Sequence, residues 1–310
     1  MADVRRARRV RVLAAARGGL GVALLVRLLL LVGAPAPVRA EGAAVELSVL
    51  TYNTHGLPAW IARDDPARRF PRIAHLVQRY DVVLLQEDFA HHPRLRAGVG
   101  SMLVARDGAD AASDGVGCLL GCRGSGLTLL ARLPRSALLG LASGAYDACA
   151  GWLGGANDCL ASKGFQHARL LLPGGLELHV VNTHLDAGRG AADRAARRAQ
   201  LERLRDHLRA SAGAAALLVG GDLNLDARDP DDAALRDDFA RALGLEDTGA
   251  APAAPSWPRL DYLYRRDGAR VALEVLEAGE APGFEDAGRP LSDHPALFAR
   301  VRVRPRPGGP

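Results

Sequence analysis

Residues 214–226, AAALLVGGDLNLD, begin as an apolar run and change abruptly to polar side chains. The run Ala214–Val219 is short and ends in two glycines, which is typical of a strand buried inside a sheet. Asp222 and Asn224 follow at the point where this strand ends. A side chain in that position is held rigidly beside any cleft that the sheet edge lines.

The same arrangement recurs along the chain. Polar groups stand at the ends of other predicted strands: Asn53, Glu87, Asn182, His184, Asp261, Asp293 and His294. Each of them alone has an ordinary explanation as a turn former, a cap or a hydrogen-bonded core residue. Six predicted strand ends carry such polar groups, and their number instead favours one common site. Carboxylates and amides that converge suit a hard cation such as Mg²⁺.

Strand-like and helix-like segments alternate without a long linker or an internal repeat. The spacing of apolar residues predicts helices over 65–80, 193–210 and 231–243. Strands are predicted over 45–52, 81–86, 126–131, 168–172, 176–183, 214–219, 260–264, 270–276 and 296–303. We therefore expect one α/β domain from about residue 43 to 304. The Ala- and Gly-rich stretch 136–161 is predicted to be an inserted loop.

Residues 1–40 have the composition of a signal peptide. An Arg-rich start precedes the apolar stretch Leu20–Val32, and small residues flank Arg39 where a signal peptidase would cleave. Arg27 interrupts the apolar stretch, and a membrane anchor or a misplaced start codon are the alternatives. The expected organisation is a signal peptide, 1–40, followed by a catalytic domain, 41–310, of a secreted or periplasmic protein.

The net charge of +5 comes from this N-terminal segment. Residues 1–40 hold eight Arg and one acid, so 32 basic and 34 acidic residues remain after residue 40, a net charge of −2. A nucleic-acid-binding protein usually carries surplus positive charge. The composition of the remaining chain therefore argues mildly against a nucleic-acid substrate.

Four cysteines predict two disulfides in an exported chain. Three pairings are possible, and Cys118–Cys122 with Cys149–Cys159 is the most local of them. A zinc site fits less well, because the spacings C-x3-C and C-x9-C have no matching histidines.

Seven motifs occur together in one order: TYNTHGLP (51–58), LLQEDF (84–89), GLTLLARLP (126–134), NTHLDAG (182–188), GGDLNLD (220–226), LDYLY (260–264) and LSDHPAL (291–297). The set resembles the endonuclease/exonuclease/phosphatase superfamily over residues 45–303. The resemblance implies an α/β (α+β) four-layer sandwich, with two mixed β-sheets packed face to face and flanked by helices.

The resemblance also implies roles for individual residues. Glu87 would be the main Mg²⁺ ligand with Asn53 and Asp293, and Mn²⁺ or another divalent cation could replace Mg²⁺. His294 would be the general base, oriented by Asp261. Asp222 and Asn224 would lie at the attacking water and the phosphate, and His184 would donate a hydrogen bond or protonate the leaving group. The residues leave one gap, since no acid partner for His184 is evident and Asp186 is near it only in sequence.

Three features favour the secreted bacterial sphingomyelinase-like branch: the export signal with cysteines, the motif QEDF, and the segment SKGF at 162–165. Lys163, the sole lysine of the chain, is expected near phosphate, and Asn182 is a further substrate-binding candidate. The expected partner is a lipid headgroup phosphodiester, with peripheral membrane contact and a monomeric state. The stretch 276–289, where that branch has an aromatic-tipped hairpin, offers only Phe284. Trp152 and Leu153 are the candidate substitute anchors at a headgroup layer, and a buried Trp152 is the ordinary alternative. A secreted nuclease, an inositol-phosphate phosphatase and an inactive binding module of the same fold are the alternatives.

Overall fold

Most strands form where the sequence is apolar or alternating, and two of the described helices begin at an Asp cap. The computed structural model describes residues 43–106, 124–151, 159, 162–254 and 257–306. The predicted signal peptide, Cys118, Cys122 and Trp152 lie outside these residues, so those predictions stay untested.

The described strands are β1 (Val45–Asn53), β2 (Val82–Gln86), β3 (Leu103–Ala105), β4 (Thr128–Ala131), β5 (Leu138–Ala145), β6 (Gly164–Leu172), β7 (Leu176–His184), β8 (Ala216–Asp222), β9 (Glu246–Asp247), β10 (Asp261–Arg266), β11 (Val271–Glu280), β12 (Glu285–Asp286), β13 (Arg289–Pro290) and β14 (Leu297–Pro305). The described α-helices are α1 (Ala59–Ala62), α2 (Pro66–Val77), α3 (His92–Gly98), α4 (Ala191–Ser211) and α5 (Pro230–Leu243). In α2 and α5, an Asp side chain caps the first turn and Pro occupies the first helical position.

Two six-stranded mixed sheets are formed by the described strands. The first has the order β11-β14-β1-β2-β4-β3 and the second β5-β6-β7-β8-β10-β9. The pairs β1–β2 and β7–β8 are parallel, and the other pairs within these sheets are antiparallel. The carboxyl ends of the two parallel pairs carry the polar residues that the sequence singled out.

The inner faces of the two sheets enclose one apolar core, which includes Leu84, Val180, Leu218 and Val301. The outer face of the first sheet packs against α2 through Phe70 and its neighbours. The outer face of the second sheet packs against α4 and α5. The predicted four-layer sandwich of two mixed sheets flanked by helices is therefore confirmed.

The prediction of an inserted loop over 136–161 was wrong for its first part. Residues Leu138–Ala145 form β5, the edge strand beside β6. The sequence LLGLASGA has no β-branched or aromatic residue, so it carries no local strand signal, and the pairing to β6 decides its conformation. Beyond β5, Cys149 and Cys159 are joined in a disulfide, which confirms that predicted pair.

Candidate active site

Three functional side chains lie side by side at one edge of the second sheet. His184 is the last residue of β7 and pairs with Asp222, the last residue of β8. Asp261 is the first residue of the antiparallel strand β10 and also pairs with Asp222. The strand register therefore fixes all three at the same end of the sheet. Gly221 permits this close approach, because a Cβ there would lie 1.9 Å from the Thr183 carbonyl oxygen.

The first sheet supplies the opposite side of the site. Asn53 ends β1 and pairs with Gln86, and Glu87 follows directly. Gly56 donates a backbone hydrogen bond to the Glu87 carbonyl oxygen at 2.7 Å, and a Cβ on Gly56 would lie 2.2 Å from that oxygen. The glycine of the motif TYNTHGLP thus lets the two loops that carry Asn53 and Glu87 touch.

Asp222 Oδ2 is the centre on which these groups converge. It accepts a hydrogen bond from Asn53 Nδ2 at 3.0 Å. His184 Nε2 lies 3.4 Å from the same oxygen and His294 Nε2 lies 3.7 Å from it. Two histidines 110 positions apart in the sequence therefore face one carboxylate.

His294 forms a close pair with Asp261. Its Nδ1 lies 2.8 Å from Asp261 Oδ2. Burial acts to lower the pKa of His294, but the carboxylates of Asp261 and Asp222 outweigh it and raise that pKa well above the ordinary value. Asp261 therefore makes this imidazole strongly basic and fixes which nitrogen faces Asp222.

His184 has the opposite environment. Lys163 Nζ lies 2.8 Å from His184 Nε2, and both side chains are buried. Burial, and after it the positive charges of Lys163 and His294, lower the pKa of His184 well below its ordinary value. The acid partner that the sequence did not reveal is supplied by Asp222 and by Glu87, whose Oε1 lies 3.7 Å from His184 Nε2.

Asp222 is itself perturbed. Burial, with a further contribution from Asp261, raises its pKa to about 6, while the positive charge of His294 and Lys163 and the hydrogen bond from Asn53 act against the rise. Asp222 Oδ1 accepts from the backbone N–H of Asn224 at 2.9 Å. The side chain of Asn224 donates to the Leu185 carbonyl oxygen at 2.9 Å, so it bridges the loops after β8 and β7.

Asp186, which is near His184 in sequence, and the predicted site residue Asn182 take other surroundings. Asp186 does not approach His184, because its carboxylate accepts from Ala150 N at 2.7 Å and Gln200 Nε2 at 3.0 Å. Asn182 lies below the cluster, between the sheets, where it accepts from Gln86 Nε2 at 2.7 Å and donates to the Leu85 carbonyl oxygen at 2.8 Å. The structure thus brings Lys163, but not Asn182, to the polar cluster.

Asp293 lies at the rim, with its side chain 56% exposed, beside a histidine that sequence reasoning missed. His55 Nδ1 is 3.2 Å from Asp293 Oδ1, and the His55 backbone N–H donates to Asn53 Oδ1 at 3.0 Å. The signal for His55 was its place in TYNTHGLP, two residues after Asn53.

A second missed group supports the Glu87 loop. Asp88 is fully buried and accepts from Thr128 Oγ1 at 2.6 Å and from Arg106 Nη2 at 3.1 Å, and His92 Nδ1 lies 2.6 Å from its Oδ2. In the sequence, this network is indicated only by the position of Asp88 directly after Glu87 in QEDF. Asp88 anchors the backbone next to Glu87 from inside the protein.

Backbone strain is concentrated in the same place. Among the described residues, five that are not glycine have positive φ, and three of them are His55, Glu87 and Asn224. Such conformations cost about 1–3 kcal/mol each and persist where the surrounding structure enforces them. The loops at the two sheet ends are thus held in shapes that serve the cluster.

The oxygen-rich donor set is compatible with a divalent cation. Ligand atoms of Asp222, Asp261 and His294 lie within 4.8 Å of one another. Asp261 Oδ1 is buried without a hydrogen-bond partner. Asp222, Asp261 and His294 are not the predicted metal ligands, which are Glu87, Asn53 and Asp293. Two of the three, Asp261 and His294, already form the hydrogen-bonded pair described above.

Solved structures with the same fold include three informative ones. Sphingomyelinase C from Streptomyces griseocarneus matches with a TM-score of 0.61 at 23% identity, over 83% of this chain and 99% of that one. Staphylococcus aureus beta toxin with bound magnesium ions matches with 0.60 at 17% identity, over 82% and 99%. D. rerio TDP2 with a single-strand DNA product matches with 0.61 at 18% identity, over 83% and 98%.

Sequence comparison gives the family. Sphingomyelinases of Mycobacterium tuberculosis and Mycobacterium bovis are 29% identical over 269 residues, which cover 80% of this chain and 51% of theirs. The chain spans about half the length of these curated relatives. The Endonuclease/Exonuclease/phosphatase family matches residues 50–294. With the motifs of that match gathered around Asp222, the chain belongs to the endonuclease/exonuclease/phosphatase family.

Proposed function

We propose that the chain is a secreted, Mg²⁺-dependent phosphodiesterase that hydrolyses a sphingomyelin-like lipid. The observation that carries this proposal is the convergence of Asn53, His184 and His294 on Asp222 Oδ2. The 29% identity to mycobacterial sphingomyelinases supports the lipid substrate. The disulfide Cys149–Cys159 supports export, because disulfides persist in oxidising compartments.

Mg²⁺ would be held by Glu87 with Asn53 and Asp293. The donor set fits, since hard cations prefer carboxylate and amide oxygens and the cluster crowds several acids together. When bound, Mg²⁺ polarises the phosphate and acidifies a water molecule. The positive charge of the ion would lower the raised pKa of His294 and so favour the neutral imidazole that a general base needs.

His294 would be the general base. Asp261 accepts a hydrogen bond from Nδ1, which leaves Nε2 facing Asp222 and the cleft. From there Nε2 would take the proton of the water that attacks phosphorus in line with the leaving group. Asp222 and Asn224 would orient that water and the phosphate.

His184 and Lys163 would act on the phosphoryl oxygens. The lowered pKa keeps His184 neutral, so the ring nitrogen that carries a hydrogen would donate a hydrogen bond, and not the proton itself, to an oxygen of the phosphate or the leaving group. Lys163 adds a positive charge against the same imidazole. This charge would offset the negative charge that develops in the transition state.

A side-by-side assay of the purified chain from residue 41 onward tests the proposal. Sphingomyelin, phosphatidylcholine, plasmid DNA and a soluble inositol phosphate are each offered with Mg²⁺ and with EDTA. We expect Mg²⁺-dependent release of phosphocholine from sphingomyelin and loss of that release in EDTA. Preferential cleavage of DNA would instead support the nuclease alternative, and no turnover of any substrate would support a binding module.

A further inference from the structure

An apolar groove opens beside the catalytic cluster. Its volume is about 480 Å³, and its lining includes His294 and Ser292. Small-ligand pockets typically have volumes of ~300–1,000 Å³. The walls come from the loop around Trp257 and from the chain between Glu280 and Ala296. A phosphoester that reaches His294 therefore has this groove next to it.

The walls of the groove are already in place. Phe284 is 9% exposed and packs edge-on against Tyr52, with ring centroids 4.9 Å apart. The Ala253 backbone N–H donates to Glu280 Oε2 at 2.7 Å and ties the loop of Trp257 to the end of β11. Trp257 remains 39% exposed. The groove is thus lined by an accessible indole and by a buried aromatic ring.

The charged side chains of the lining are mainly acidic. The described lining of this groove holds Glu280 and Glu285 and neither Arg nor Lys, and His294 lies at its boundary with the catalytic cluster. An anionic extension of the substrate, such as the next phosphate of a nucleic acid, would meet two carboxylates here. A cation with an apolar surface matches both the walls and the charge.

We propose that this groove binds the quaternary ammonium end of a phosphocholine headgroup, with Trp257, Glu280 and Glu285 as specificity-determining residues. The inference rests on the proposed function and adds the group that the site selects. A trimethylammonium group has methyl surfaces and donates no hydrogen bond, so apolar walls do not leave it unsatisfied. An aromatic face and nearby carboxylates attract its charge. An ethylene unit and an ester oxygen separate it from phosphorus, and His294, which belongs to both the catalytic cluster and the groove lining, joins the two positions.

Calorimetric binding in the presence of Mg²⁺ tests the charge recognition directly. The probes are phosphocholine and neohexyl phosphate, a neutral isostere in which carbon replaces the nitrogen. We expect phosphocholine to bind about five- to tenfold more tightly, as a partly desolvated cation–π contact with added carboxylates would give. The double variant Glu280→Gln/Glu285→Gln should bring this ratio close to one, since Gln keeps the acceptor for Ala253 and removes the charge.

Matched controls keep the result specific. Glu277→Gln changes an acid on the same strand that pairs with Arg300 at 3.4 Å, outside the groove. Trp60→Leu removes a tryptophan that is 67% exposed and does not line the groove, for comparison with Trp257→Leu. Both controls should retain the wild-type ratio, and Trp257→Leu should lower it.

Equal or tighter binding of neohexyl phosphate by the wild-type chain would overturn the proposal, as would no measurable binding of either probe. Tighter binding of a long-chain alkyl phosphate than of phosphocholine would show that the groove takes the lipid tail instead. Hydrolysis is scored separately. A chain that cleaves sphingomyelin without discriminating the two probes refutes the groove alone, whereas discrimination without turnover of any substrate refutes the proposed function.

Discussion

Two clusters of histidines lie on the two faces of the second sheet, and both involve β7. The site cluster is His184 with His294. The outer cluster, beneath α4, is His167, His179 and His207, in which His167 Nδ1 lies 3.1 Å from His207 Nε2 and His167 Nε2 lies 2.9 Å from His179 Nδ1. His167, His179 and His184 are buried and His207 and His294 are half-buried, but the two clusters differ in the charges around them.

In the outer cluster, imidazoles mainly contact imidazoles. Burial, followed by the repulsion of His179 and His207, lowers the pKa of His167 to about 4. In the site cluster, Asp261 lies 2.8 Å from His294 and raises its pKa against the effect of burial. Burial beside other imidazoles therefore keeps His167 neutral, whereas the carboxylate of Asp261 makes His294 a base.

Removing a histidine from each cluster should separate the two roles. His294→Ala should reduce kcat/KM by about 10²–10⁴, because it removes the proposed general base. His207→Ala, the matched change in the outer cluster, should leave kcat/KM within about twofold. Kinetics with the substrate found in the assay above, with circular dichroism to confirm folding, would measure both. Near-normal activity of a folded His294→Ala chain would contradict the assignment.

Removing the carboxylate should make the site cluster resemble the outer one. Asp261→Asn keeps the size of the side chain but removes the charge and permits the wrong tautomer of His294. We expect kcat/KM to fall by about 10–10³ while the fold is retained. The comparison variant is Asp286→Asn, an acid paired with Arg68 away from the cluster. Equal effects of the two variants would show that Asp261 acts through general stability.

The sequence predicted the sheet ends better than the contacts between them. Asn53, Glu87, His184 and Asp222 stand at strand ends in the sequence and also in the structure, because the apolar runs that form these strands are local properties of the sequence. Strand β5 was missed because its small residues carry no strand propensity of their own.

The partners of the site residues depend on the packing of the two sheets, which the sequence does not show. The contact of Lys163 with His184 joins β7 to the residue just before β6, and the pair His294–Asp261 joins residues 33 positions apart. Asn182 looked like a site residue because it shares a motif with His184. Its amide instead bridges the sheets below the site.

The outer cluster should make the protein sensitive to acid. The folded-state pKa of His167 is lowered to about 4 from 6.5, so the unfolded chain binds more protons between these values. Stability from His167 is complete above about pH 6.5 and is lost as the pH falls towards 4. The expected loss between pH 7 and 4.5 is about 1–3 kcal/mol in the free energy of unfolding, measured in urea.

His167→Gln tests this sensitivity, because a glutamine keeps polar atoms in the cluster and does not titrate. The variant is expected to be less stable than the wild-type chain at pH 7, yet its free energy of unfolding should fall less on acidification. Glu177, which lies 3.2 Å from His179 Nε2, and Arg169, which pairs with Glu177, remain in both chains and cancel in the comparison. Identical losses in the two chains would mean that acid acts elsewhere, and the outer cluster would then be neutral packing without a protonation cost.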